Sequence, residues 1–224
     1  MKEKTNMTMK DLVTVTPEGL IWPINGDVTY DWLSRETKEQ GGHLSVLSKY
    51  LKKMNVMIQA GGNCGLTLIP FMDKFDRIYT FEPDPLNFYC LVNNLSKKNV
   101  YKVQGCLGED NRMVDMVNPC SNNDVGGYHV GSSVGTIPKF KIDDLQLEKC
   151  DLIMLDIEGY EYNALLGGVQ TIAKYRPVVC VECCSWLSRF GASTQHIDTL
   201  LARFGYKYME SYFQDRIYVS TVND

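Results

Sequence analysis

The chemistry this sequence could perform centres on a glycine-rich turn and a set of acids that each follow an apolar run. The run Gln59, Ala60, Gly61, Gly62, Asn63, Cys64, Gly65 comes directly after the apolar VMI. Its glycines let a ligand approach bare backbone amides, although a plain tight turn would use them too. Seventeen residues after Gly65, Glu82 stands in FEPDP between Phe81 and Pro83. A carboxylate at the end of a second strand can accept hydrogen bonds from both hydroxyls of a ribose. Turn and acid together describe a nucleoside site. The dinucleotide fingerprint GxGxxG fails from Gly61, where position 63 is Asn, and from Gly62, where position 64 is Cys. That disfavours a nicotinamide oxidoreductase.

A second group of acids lies in DLIMLDIEGYE. Asp156 ends the apolar run, so its carboxylate emerges at the rim, where it can hold an ammonium group or take a proton. Glu158 and Glu161 are three apart at a helix start, which suits the helix dipole; for Glu161 that stabilising role is the stronger reading. His129, in the loop GGYHVGSS, is a candidate base, although an exposed loop histidine is its stronger reading. Glu182 ends PVVCVE and is a further candidate base, or with Asp156 a ligand pair for a divalent ion, the weaker of its readings. Trp22, Tyr30, Trp32, Tyr128 and Trp186 pack or line an acceptor pocket, with Trp186 the best placed because it follows a strand end.

These residues need elements to hold them. Short apolar runs predict strands at VMIQA (56–60), RIYTFE (77–82), VYKVQ (100–104), DLIMLDI (151–157) and PVVCVE (177–182). Amphipathic spacing predicts helices over 66–74, 85–96, 160–174 and 194–204, with Pro70 delaying or kinking the first. YKYMESYFQDRIYVST predicts a C-terminal hairpin. Residues 1–54, with a helical stretch near 44–53, read as an appendage or lid on a main domain of 55–224.

The 224 residues, 44% hydrophobic and 22% charged, suffice for one core. The net charge of −4 lacks the broad basic footprint of a nucleic-acid binder. The polar N-terminus and the lack of any long apolar run predict a cytoplasmic protein without a membrane partner. The eight cysteines are spread through apolar runs and read as reduced packing residues. For Cys180, Cys183 and Cys184 there is no second CxxC pair, and only His43, His129 and His196 could complete a ligand set, so no metal is expected.

QAGGNCG, FEPDP, QGCLG and FKIDDLQLEKCDLIMLDIEGYEYNALLGG, in that order over roughly 56–182, resemble the FkbM-type family of S-adenosylmethionine-dependent methyltransferases. The resemblance implies the class I methyltransferase fold: an α/β, Rossmann-like, mostly parallel seven-stranded sheet with an antiparallel C-terminal strand and helices on both faces. It also implies S-adenosylmethionine as cofactor. Gln59, Gly61, Gly62, Asn63 and Gly65 would surround the methionine end, Glu82 and Pro83 the ribose, and Gln104, Gly105, Cys106 and Leu107 the adenine. Asp156 would lie near the reacting methyl, with Glu158 and His129 as further catalytic candidates. Family members often carry Asp where this chain has Gln59, and a Lys before the DxEG motif where it has Met154 and Leu155. The family's usual acceptor is a hydroxyl of a sugar or other small molecule. A non-catalytic nucleoside-binding module and a nucleic-acid methyltransferase are the alternatives, the first kept open by Gln59 and the second disfavoured by charge.

Overall fold

The computed structural model describes residues 8–24, 30, 42–118 and 125–222; Trp32 lies outside them. The strands are β1 (Val13–Val15), β2 (Ile21–Pro23), β3 (Val56–Ala60), β4 (Arg77–Phe81), β5 (Val100–Val103), β6 (Cys106–Leu107), β7 (Arg112–Val114), β8 (Met116–Val117), β9 (His129–Val130), β10 (Ile137–Phe140), β11 (Leu152–Leu155), β12 (Val178–Glu182), β13 (Tyr206–Tyr212) and β14 (Asp215–Ser220). The α-helices are α1 (Gly42–Leu47), α2 (Pro85–Asn94), α3 (Glu161–Leu166), α4 (Val169–Tyr175) and α5 (Thr194–Ala202).

Seven strands form the central sheet in the order β13-β14-β12-β11-β3-β4-β5. Strands β12, β11, β3, β4 and β5 are mutually parallel, and β14 runs antiparallel to both of its neighbours. A parallel sheet is covered on both faces, which is why its strands are nearly continuous apolar runs. Ile58, Ile153 and Val179 pack on one face against Leu165, Ile172 and Ile197. Met57, Leu152 and Val178 pack on the other against Leu47, Phe71 and Leu91.

The predicted strands match to within two residues; three of the helices differ, the N-terminal one running over Gly42–Leu47 instead of 44–53. Residues 66–74 do not form an α-helix. Leu66–Phe71 is a 3-10 helix with Pro70 inside it, because the ring cannot donate the bond an α-helix needs there. The stretch 160–174 breaks into α3 and α4 at Gly167 and Gly168. A Cβ on Gly167 would overlap the carbonyl of Gly108, so the break marks a close backbone crossing. Asp143 restarts the helix by accepting from the amides of Gln170 and Thr171 at 3.1 and 2.8 Å.

The N-terminal residues brace the site. Hairpin β1–β2 places Trp22, 1% exposed, against Cys64, Leu66 and Cys90. Asn94, at the end of α2, ties three backbone groups together: it accepts from Ile21 N at 2.7 Å and donates to the carbonyls of Ile21 and Cys64, both at 2.8 Å. The glycine turn is thus fastened from behind.

Candidate active site

A cleft of about 350 Å³ opens at the carboxyl ends of β3, β4, β5, β11 and β12, where ligands bind in open α/β sheets. Each strand delivers one predicted residue or turn to its wall. From β3 come Gly61 and Asn63, from β4 Glu82 and Pro83, and from beyond β5 Gly105, Cys106 and Leu107. From β11 come Asp156 and Glu158, and from β12 Glu182.

The glycine turn and Glu82 are built as one unit. Gly61 has φ 85°, and a Cβ there would overlap the carbonyl oxygen of Asp156, so only glycine fits. The turn continues through Asn63 at φ 45°. Its amide donates to Glu82 Oε2 at 2.7 Å, and the Asp84 amide donates to Oε1 at 2.8 Å. Asp84 in turn caps α2, accepting from Leu86 N and Asn87 N, both at 2.9 Å, with Pro85 in the first helical position. Burial pushes the Glu82 carboxyl up to about 8 against the pull of those two amides. A ligand that donates to it would favour its ionised form.

Asp156 and Glu158 sit on a tight bend. The Asp156 amide donates to the Ala60 carbonyl at 3.1 Å, tying the β11 and β3 ends together. Glu158 has φ 61°, a left-handed conformation that costs a non-glycine residue on the order of 1–3 kcal/mol. Gly159 follows at φ 102°, against the Trp186 carbonyl. Glu161 stabilises the bend: its Oε1 accepts from Ile157 N at 2.8 Å and Gly159 N at 3.2 Å, and burial pushes its carboxyl to about 8. It is absent from the cleft wall, as its helix-start reading requires.

The opposite wall comes from the loop GGYHVGSS and its approach. Val125, Gly126, Tyr128, His129 and Val130 all face the cleft. The Val125 carbonyl accepts from both Asn63 Nδ2 at 3.3 Å and Asn87 Nδ2 at 2.7 Å, which joins this wall to the glycine turn and to α2. Burial and the nearby Arg189 charge hold the His129 pKa below its usual value, so the ring is neutral near pH 7. Phe190 packs edge-on against both His129 and Tyr160. The Tyr160 hydroxyl is fixed by the buried Lys139 at 3.0 Å and by Glu109 at 2.9 Å. Trp186 lines the cleft beneath the Arg189 guanidinium, 4.5 Å from its ring centre. Glu182 is pushed to about 8 by burial and by the charges of Asp156 and Asp215.

Residues 63–208 match the family described as Methyltransferase FkbM domain. The chain belongs to this family of S-adenosylmethionine-dependent methyltransferases. Among solved structures it is similar to the FkbM methyltransferase from Methylobacillus flagellatus KT, with a TM-score of 0.50 and 20% identity over 74% of this chain and 43% of that one. The chain therefore spans less than half of that protein's length. It is also similar to a TehB-like SAM-dependent methyltransferase from Corynebacterium glutamicum ATCC 13032 Kitasato, with a TM-score of 0.48, 10% identity, and coverage of 88% and 98%. No curated protein matches the chain. The fold it shares with the FkbM structure is the class I methyltransferase fold.

Within this FkbM domain, several predicted site residues stand behind the wall rather than on it. The Gln59 side chain turns into the sheet, 2% exposed, and accepts from Thr80 Oγ1 at 2.5 Å. Gly62 packs under Leu91 and Thr80, and Gly65, at φ 91°, packs on Leu95 and starts the 3-10 helix. Gln104 precedes the wall residues without joining them. Conversely, Thr67, Asn87, Met116 and Tyr160 line the cleft without having been singled out from sequence. Asn87 had a signal, since a cap at Asp84 points the first turn of α2 toward the Glu82 end. Met116 had none. Trp22 and Tyr30 pack edge-on together at 5.2 Å, away from the cleft, whereas Tyr128 and Trp186 line it. Among the described residues no helix is long and apolar enough to cross a membrane, and the described cysteines are all free thiols.

Proposed function

We propose that this FkbM domain binds S-adenosylmethionine in the cleft and passes its methyl group to a hydroxyl of a small molecule, a sugar being the family's usual case. The observation that carries the reading is the shared wall of Gly61 and Glu82, locked by the bond from the Asn63 amide to Glu82. Glu82 accepts the two ribose hydroxyls, with Pro83 beside them. Gly105, Cys106 and Leu107 flank the adenine, and Gly61, Asn63 and Asp156 hold the methionine end.

Methyl transfer from a sulfonium is an in-line displacement that needs alignment and dryness more than an enzyme nucleophile. The acceptor occupies the part of the cleft near Glu158, His129 and Trp186. Glu158 takes the hydroxyl proton as the methyl–sulfur bond breaks, and His129, already neutral, orients the acceptor. The acidic side chains of Asp156 and Glu158 on the wall favour a neutral or cationic acceptor over a nucleic acid.

Calorimetry with S-adenosylhomocysteine tests the cofactor site. Glu82→Ala loses ~1.5–3 kcal/mol, a factor of about ten to 150, because a charged acceptor of two hydroxyls is removed. An unchanged affinity would put the ribose elsewhere.

A further inference from the structure

On the far side of β12 from Val179 and Val181, three potential metal donors come together from three elements. Cys180 and Glu182 are two apart on β12 and share a face, and Asp215 on β14 is the register partner of Glu182. Helix α1 covers that face, with Leu47 in the same buried cluster as Cys180. It brings His43 onto Asp215, Nε2 to Oδ2, with the ring packed edge-on against Tyr212 at 4.9 Å. A ring nitrogen of His43, Cys180 Sγ and an Asp215 carboxylate oxygen all lie within 4.8 Å of one another, and all three residues are buried.

We propose that His43, Cys180 and Asp215 bind a zinc-class divalent cation that fastens helix α1 to strands β12 and β14 of the central sheet. The donor set selects the ion. Magnesium and calcium take oxygen ligands almost exclusively, whereas imidazole, thiolate and carboxylate together suit zinc. With bonds of ~2.0–2.3 Å, tetrahedral zinc holds its ligand atoms about 3.3–3.8 Å apart, so side-chain adjustments of about an ångström close the three donors on one ion. A solvent molecule takes the fourth corner of the tetrahedron. His43 and Asp215 keep 6% and 8% exposure, which leaves the ion a path from solvent. On binding, the thiol proton passes to solvent and His43 turns an unprotonated ring nitrogen to the ion.

The sequence alone grouped Cys180 with Cys183 and Cys184, its neighbours in the chain. The fold pairs it instead with residues 137 positions before and 35 positions after it.

The test uses the full chain, stripped with a chelator and titrated with cobalt(II) as a spectroscopic stand-in for zinc. The expected result is one equivalent bound, a thiolate-to-cobalt band in the near ultraviolet, displacement by zinc, and a zinc-dependent rise in melting temperature. Cys180→Ser removes the near-ultraviolet band. Since Cys180 lies in the core, His43→Gln and Asp215→Asn repeat the test from the edge, each lowering cobalt affinity at least tenfold. The proposal is overturned by failure to bind one equivalent, or by His43→Gln and Asp215→Asn both binding as the parent does. It is equally overturned by a thiolate band that survives Cys180→Ser and disappears when Cys183 and Cys184 are both changed to Ser.

Discussion

Gln59 and Met154 are register partners on the neighbouring parallel strands β3 and β11, and neither side chain reaches the cleft. Both side chains lie buried in the sheet interior. The Gln59 side chain is satisfied by Thr80 on the next strand. Gln59→Asp alone buries a carboxylate without a partner and is expected to cost about 3–5 kcal/mol; Met154→Lys alone costs a similar amount. The double variant recovers most of the loss. Urea denaturation of the four-member cycle measures the coupling, and strictly additive losses would show that the two sites do not communicate.

The bend at Gly61 gives a sharper test of the cleft's construction. Gly61→Ala combines a left-handed backbone with overlap on the Asp156 carbonyl, and a loss on the order of 3 kcal/mol or more is expected. If the variant folds, S-adenosylhomocysteine binding falls with it, because β3 and β11 can no longer approach. A variant with parental stability and affinity would contradict the crossing.

Stability should depend on pH in a stated direction. Glu82 and Glu161 titrate near 8 in the fold and near 4.3 when unfolded, so between those values the native state holds more protons. Their contribution is complete below the unfolded value and is lost as pH rises through the folded one, with a limiting slope of about 1.4 kcal/mol per pH unit for each group. The ligand-free melting temperature therefore declines from pH 5 toward pH 8. Glu161→Gln, which keeps an acceptor for the Ile157 and Gly159 amides, makes that decline shallower. Parallel curves for parent and variant would remove Glu161 as a source.

Ligand binding links to the same proton. Hydroxyl donors favour the ionised Glu82, so S-adenosylhomocysteine affinity rises as pH approaches 8, and protons are released on binding. Calorimetry in buffers of different ionisation enthalpy counts them, and Glu82→Gln removes the dependence.

The sequence made the central sheet legible because strands buried on both faces leave uninterrupted apolar runs, and the residues closing those runs are the ones at the cleft. Gly61, Asn63, Glu82 and Asp156 could be found this way. Side-chain direction was harder to read. Gln59 lies within the motif, yet the pleat turns it away, since neighbours on a strand face opposite sides. Helix continuity was also obscured: the break at Gly167 depends on Gly108, nearly sixty residues earlier, and apolar spacing alone runs straight through it. Met116 and Tyr160 reach the cleft through small side sheets and aromatic packing that short-range pattern does not encode. The grouping of His43 with Cys180 and Asp215 depends wholly on tertiary contact.

The carbonyl of Val125 is a single oxygen clasped by two asparagines, one from the glycine turn and one from the first turn of α2. Whatever settles the glycine turn settles the far wall with it, so the two sides of the cleft take their shape together.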